Sequence, residues 1–412
     1  MTYRLFFFIA MAISLRLFSD CPPTVLEFDS TFQSILGHAH ELKAADSELA
    51  ASAASRWQAA AYPNPELNVA VDNMGNGSCN DHGDLFVGVT QDFELGGKRS
   101  ARIRVAEAEQ CLIAWDREIL KNELFGEALH AFIDIAVAQE RLDLTQQQYQ
   151  LAQDALSCIT ETSKAGKVSP IEVTKGKLVC GSVKLLLSKE QSALSVAKKK
   201  LRSLWDCTAP DFDKVCFPLF ELEPPPSLED LYEALNNNPE IARAEAEVIK
   251  ASKIYHLERA QRIPDMAVQV GVTTERFRER PTIGFEIDIP LPIFDQNRGN
   301  ICRAMNEQDE AIYNQMEVLC RHKSALTVLY EEWENAYAQA IELRDQMLPP
   351  ANESYRMTYQ GFNEGKFGYI DLRDARNTLF DIQQQYLSAV EEYHNKRADV
   401  LQLIGCMPAT EN

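Results

Sequence analysis

Four short segments of the chain alternate strictly between apolar and polar positions. In 67–72, Leu67, Val69 and Val71 alternate with Asn68, Ala70 and Asp72, and in 85–93, Leu85, Val87 and Val89 oppose Phe86, Gly88, Thr90 and Asp92. Further on, Met266, Val268, Val270 and Val272 stand against Ala267, Gln269, Gly271 and Thr273. The fourth segment sets Ile283, Phe285, Ile287 and Ile289 against Gly284, Glu286 and Asp288. Successive side chains on a strand point to opposite faces, so this pattern predicts strands over about 67–72, 85–93, 266–273 and 283–289, each with one apolar and one polar face. Turn residues such as Gly75-Asn76-Gly77-Ser78 separate the paired strands, which makes each pair a hairpin.

After each hairpin the period lengthens. From Lys98 to Lys164 there is no proline and one glycine, which at about 1.5 Å per residue predicts a helix of about 100 Å. Val105, Leu112, Ile119 and Ile133 fall on seven-residue steps, with Gly126 in the vacant slot. Ile312, Leu319, Leu326, Trp333, Ala340 and Met347 repeat in the same way, as do Leu372, Leu379, Tyr386, Tyr393 and Val400. Sustained heptads mark helices packed side by side. Long helices are expected at about 98–164, 170–205, 299–361 and 369–404. The turns between them are marked as well. Ser169-Pro170-Ile171-Glu172 reads as a capping box with proline at the first helical position, and Gly166 suits a helix C-terminus. Gly365-Lys366-Phe367-Gly368 leads into the last helix.

The pattern is written twice. Tyr62-Pro-Asn-Pro recurs as Ile263-Pro-Asp-Met, Gly96-Gly-Lys-Arg as Asn297-Arg-Gly-Asn, and Ala165-Gly-Lys-Val as Glu364-Gly-Lys-Phe, all at offsets of about 200. Each half opens with a shorter helix, 32–61 or 227–262, that runs up to a proline. The expected organisation is a signal peptide at 1–20, a first repeat at 21–209, a Pro-rich connector at 210–226, a second repeat at 227–406 and a tail at 407–412.

Composition narrows the function classes. A net charge of −20 on 412 residues, with no basic stripe, argues against nucleic acid as a partner. Arg4 followed by an apolar run from Leu5 to Leu15 reads as an export signal, too short to span a bilayer. No later stretch is comparably apolar, so any membrane span is expected to be β. Cys21 stands where a lipoprotein carries its acylated cysteine, although Asp20 departs from the small residues such anchors want, so lipidation and ordinary cleavage both stay open. The ten cysteines show no metal-type spacing, and Cys158 and Cys180 lie equidistant from the first helical turn, where a disulfide could form. Cys79, Asp81 and His82 read as a plain loop, and His38 and His40, two apart on a helix, do not make a ligand pair. No phosphate loop, nucleophile elbow or metalloprotease motif occurs, so neither an enzyme, nor a cofactor, nor a metal site is expected.

Four amphipathic strands cannot close a membrane barrel, because the smallest barrels need about eight. An open edge in lipid would strand backbone groups at several kcal/mol each. Strands placed in a membrane therefore demand an oligomer, and three copies supply twelve. The polar faces, with Asp72, Asp92, Glu286 and Asp288, would then line a lumen.

The doubled pattern resembles the outer membrane efflux family typified by TolC, over almost the whole chain after the signal. Phe93-Glu-Leu-Gly-Gly-Lys-Arg, Pro290-Leu-Pro-Ile-Phe-Asp-Gln-Asn-Arg-Gly and Met347-Leu-Pro-Pro followed by 359–375 resemble the branch serving heavy-metal and cation efflux pumps. The resemblance implies a mainly α fold with a membrane β part: two repeats of helix, β-hairpin and long helical hairpin, assembled as a trimeric α/β-barrel. It implies a homotrimer in outer membrane lipid with a large periplasmic portion, partnered by a periplasmic adaptor and an inner-membrane pump. The function it implies is a passive export duct for small solutes, metal cations among them. Gly166, Lys167, Val168 and Ser169, with Gly365, Lys366, Phe367 and Gly368, match the adaptor-docking turns. Asp371 and Asp374 match the acidic pair that rings the periplasmic aperture, while each also suits a helix N-terminus. Where TolC holds its aperture with a tyrosine and an arginine, this chain has Phe362 and Phe367, and Glu172 stays acidic at the third position. An apolar constriction by Phe362 or Phe367 is the resulting expectation. Two alternatives remain at this point: a type I protein-secretion duct of the same fold, and a periplasmic coiled-coil structural protein without a pore.

Overall fold

The computed structural model describes residues 25–72, 84–166, 168–205, 212–274 and 281–405. The segment 1–20, Cys21 and the loop with Cys79, Asp81 and His82 lie outside them. The chain opens with β1 (Val25–Glu27), α1 (Phe28–His38) and α2 (His40–Ala59), then the hairpin β2 (Glu66–Asp72) and β3 (Asp84–Phe93). The helices α3 (Lys98–Lys164) and α4 (Pro170–Ser203) follow, then β4 (Lys214–Cys216), α5 (Leu228–Ala234) and α6 (Pro239–Gln261). A second hairpin, β5 (Met266–Thr274) and β6 (Thr282–Asp288), leads to α7 (Arg298–Glu342), α8 (Leu348–Asn363) and α9 (Tyr369–Leu403). Among the described residues no helix is long and apolar enough to cross a membrane.

The helices follow from local chemistry. α3 is unbroken because nothing in it interrupts the backbone ladder. α4 starts where Ser169 Oγ accepts from the Ile171 N–H and Pro170 occupies the first turn. The reciprocal half of that capping box is not made, because Glu172 pairs instead with Lys175 at 2.8 Å. The opening helix of each repeat is bent. At the second, Asn238 Oδ1 accepts from the N–H groups of Glu240 and Ile241, and Pro239 begins α6. At the first, Ala39 leaves the helical region with ψ 116, two residues after Gly37.

One heptad run is interrupted. Leu326, Trp333 and Ala340 are buried, but the next step, Met347, is 40% exposed. A π-helical turn at Leu343–Met347 separates α7 from α8 and rotates the face. The cause is Pro349-Pro350, whose rings cannot fit a regular α-turn and whose nitrogens donate no bond.

The four long strands form one antiparallel sheet in the order β2-β3-β5-β6. Its register aligns Val69 with Val87, Val87 with Val272 and Val272 with Ile283, so the alternating aliphatic positions share one face, and Phe86 lies on the other. The core lies elsewhere, along the helices. Phe32, Phe125 and Phe132 meet Phe28 edge-on or stacked, and Ile133, Leu201, Trp205 and Val390 complete the cluster. The segment expected as a plain connector takes part in this core. β4 pairs in parallel with β1, Leu26 opposite Val215, and both are buried. Gln139 on α3 brackets Val215, accepting from its N–H at 3.0 Å and donating to its carbonyl at 3.3 Å. Tyr393 on α9 likewise accepts from the Glu223 N–H and donates to the Glu223 carbonyl. Proline richness there marks irregular backbone, and side chains of α3 and α9 supply the bonds a ladder would have made.

Candidate functional site

The helical hairpins close at two turns. The first carries Gly166 at φ +74, a left-handed position that glycine takes without strain, with its N–H donating to Ser163 O at 3.0 Å. Val168 and Ser169 follow, and Lys167 lies outside the described residues. The second carries Gly365 at φ +76, its N–H donating to Phe362 O, and the Lys366 N–H returns to Gly361 O at 2.8 Å. The Phe367 ring sits against Gly361, where a Cβ would stand 2.3 Å from ring Cδ2. Lys366 pairs with Glu364.

The two turns are electrostatic neighbours. Arg373 lies at the start of the second turn of α9, and the Asp374 carboxylate accepts from its Nε at 3.0 Å and its Nη2 at 2.8 Å. That hydrogen bond holds the Arg373 guanidinium above its usual pKa, and Glu172 of the other turn adds to the effect through its charge. Asp371 has a different task, because its Oδ2 accepts from the Gly368 N–H at 2.9 Å and caps α9. Asp371 thus serves the helix start directly, while Asp374 leaves its carboxylate largely in solvent.

Phe362 and Phe367 diverge. Phe362 turns toward α3 and lines a cavity of about 170 Å³ between α3, α8 and α9, whereas Phe367 stays 48% exposed. The cavity wall includes Leu151, Cys158, Tyr355, Tyr359 and Arg376. Cys158 and Cys180 are both free thiols. Arg376 is 5% exposed, and its Nε is buried without a hydrogen-bond partner. Neither Arg376 nor the tyrosines were singled out from the sequence. The available signal was that 355–362 and 369–376 flank the turn at equal distances and so face one another in the hairpin.

At the opposite end, register collects the acidic positions of the sheet. Asp92 aligns with Ala267 and Asp288, and the next row of the same face joins Thr90, Gln269 and Glu286. Asp72 pairs with Asp84 at the far end of the first hairpin, apart from that group. The Asn68 amide donates to Thr90 Oγ1 on this polar face. The other face presents Leu67, Val69, Val87, Val270, Ile283 and Phe285, all exposed, and nothing in the described protomer covers it. Such a continuous apolar surface is a contact surface for lipid or protein. β2 and β6 each pair on one side only, so both edges are open among the described residues. No group of His, Cys, Asp or Glu among them could hold a metal ion.

Comparison with known proteins agrees with this geometry. The family model described as outer membrane efflux protein matches residues 31–205 and 231–406. The chain is 29% identical over 385 residues to the cobalt-zinc-cadmium resistance protein CzcC of Cupriavidus metallidurans, covering 92% of this chain and 90% of that one. It is 22% identical over 393 residues to the pyoverdine export outer membrane protein OpmQ of Pseudomonas aeruginosa, covering 87% and 80%. In fold it resembles the outer membrane protein VceC of Vibrio cholerae, with a TM-score of 0.70 at 15% identity over 92% of this chain and 96% of that one.

Proposed function

Since this chain belongs to the outer membrane efflux protein family, we propose that three copies close a twelve-stranded barrel and form the duct of a tripartite system that exports metal cations. The chain is a TolC-like outer-membrane efflux channel with a large periplasmic helical part, and not an enzyme. Channels of this family work with an adaptor and an inner-membrane pump.

The observation that carries the trimer is the open sheet. Four strands whose apolar face is uncovered and whose two edges are unpaired among the described residues cannot rest in lipid alone, and joining β6 of one copy to β2 of the next removes both edges at once. Asp92, Glu286 and Asp288, with Asp72 toward the outer end, then face the lumen and favour cations. At the other end, the turns 166–169 and 365–368 receive the adaptor. Asp374 and Asp371 ring the aperture with Glu172 near by, and Phe367, more than Phe362, narrows it. The likeness to a cobalt-zinc-cadmium resistance protein supports the choice of cargo.

The first test is the mass of the protein extracted in detergent from isolated outer membranes. A trimer is expected, and a soluble monomer or dimer absent from the membrane fraction would overturn the reading. Cargo is tested by deleting the chain from its own cells. Sensitivity to cobalt, zinc or cadmium should rise several-fold, and unchanged tolerance would remove the metal assignment.

A further inference from the structure

We propose that the connection 289–297 of one protomer seats on Tyr62 and Trp57 of a second copy, forming a clasp at the inner rim of the barrel. The inference rests on the trimeric reading above.

The template is a junction inside the protomer. β3 and β5 pair antiparallel, with Phe93 opposite Met266, so the chain leaving β3 runs beside the chain that leads into β5. The contact there is close. The Leu95 N–H donates to Asp265 Oδ1 at 3.0 Å, and Lys98 Nζ lies 2.8 Å from the same carboxylate. Gly96, at φ +70, approaches so near that a Cβ would stand 2.8 Å from the Cβ of Ile263 and 3.0 Å from Ala260 O.

The internal repeat carries this junction to a second place. Gly97 and Asn297 hold the same structural place in the two repeats, each the left-handed residue just before a long helix, at φ 73 and 57. Tyr62-Pro63 is the counterpart of Ile263-Pro264. The chain leaving β6 therefore needs beside it the chain that leads into β2. Within one protomer β2 and β6 are opposite edges of the sheet, so that partner has to come from another copy. Antiparallel closure of β6 on the next β2 puts the Asp288 end beside the Glu66 start, which brings 289–297 alongside 57–65.

Both surfaces carry large apolar side chains that are exposed among the described residues of the protomer. The second junction is longer than the first, 289–297 against 94–97, and the added length carries Ile289, Leu291, Ile293 and Phe294. Leu291 is 75% and Phe294 100% exposed. Across the seam, Trp57 is 74% and Tyr62 70% exposed, with the Arg99 guanidinium 4.1 Å from the Tyr62 ring centroid on one side. Where the first junction lets a glycine backbone approach Ile263, the second has a longer apolar loop to meet an aromatic ring.

The test places p-benzoylphenylalanine at position 294 and irradiates outer membranes that contain the full chain. The expected product is a dimer-mass adduct on a denaturing gel whose crosslinked peptide contains 57–66. A trimer whose adducts map only to lipid or to residues 261–264 of its own chain overturns the clasp and leaves the trimeric reading intact, whereas absence of a trimer ends both. As a second measurement, Phe294→Ser and Tyr62→Ser should each lower the temperature at which the trimer dissociates in dodecyl sulfate. The double variant should dissociate no lower than the weaker single one, and fully additive losses would count against contact between the two residues. Phe294→Ser should leave the protomer's own core untouched, because that side chain is fully exposed among the described residues.

Discussion

The ring of Phe86 occupies the space that a side chain at Gly271 would need: a Cβ there would stand 2.3 Å from ring Cε2 and 3.0 Å from the Gly88 backbone. Gly88, Gly271 and Gly284 align across three strands, so the polar face has a flat row on which one aromatic ring can lie. Gly271→Ala should destabilise the sheet by about 1–3 kcal/mol through overpacking, read as a lower dissociation temperature of the purified assembly. Adding Phe86→Ala should recover part of that loss. If Gly271→Ala is neutral by itself, the ring does not constrain this row.

At the helical tips, Phe367 is the more exposed phenylalanine and Phe362 fills part of the cavity against α3. Phe367→Ser should raise single-channel conductance in a planar bilayer with little change in stability. Phe362→Ser should lower the melting temperature, because it enlarges that cavity. Unchanged conductance in the double variant would exclude an apolar constriction.

The two aspartates of α9 should separate in the same way. Asp374 keeps its carboxylate in solvent beside Arg373, so Asp374→Asn should weaken block of the channel by multivalent cations several-fold and leave folding unaltered. Asp371 caps α9 through the Gly368 N–H, so Asp371→Ala should also cost about 1 kcal/mol at the helix start. Thermal melts and bilayer titrations with a divalent cation distinguish the two effects, and identical profiles would show that neither residue has a separate role.

Two histidines on the packed helices give opposite pH dependences. His394 is 2% exposed, its Nε2–H donates to Leu219 O at 2.7 Å, and burial pushes its pKa down to about 4. The folded state therefore binds fewer protons than the unfolded chain. Stability from this group is complete above the ordinary histidine range and falls as pH drops from about 6.5 toward about 4, by roughly 3 kcal/mol in full. His130 has the reverse sign. Its hydrogen bond to Asp399 raises its pKa, helped by Asn395, so its contribution is present below the ordinary histidine range and is lost as pH rises through the raised value. Denaturation of the solubilised protein across pH should show His394→Gln flattening the acid limb. His130→Gln should destabilise more at pH 6 than at pH 9. If neither variant alters the slope on its side of neutrality, these ionisations do not drive it.

The periodicities in the sequence carry a large part of the fold. Strict alternation around Val69, Val87, Val270 and Phe285 identifies strands because a slip of one residue would exchange the two faces. The uninterrupted run from Lys98 to Lys164 identifies a helix because nothing in it breaks the backbone ladder. Glycines 166 and 365 mark the turns because a left-handed residue with a side chain would be strained there.

Other features depend on contacts between residues far apart in the chain, and local pattern does not record those. Val215 belongs to the core because Gln139 and β1 reach it across the molecule. Met347 leaves the heptad face because Pro349 and Pro350 widen the turn before them. Arg376 is buried because α8 folds back over α9, and Phe362 parts from Phe367 for the same reason. By itself the sequence determined the long strands and helices, their repetition and the end at which each acidic group lies. Tertiary structure alone decided which of those groups face solvent and which serve a helix cap, because burial and hydrogen-bond partners are set by neighbours that sequence distance does not measure.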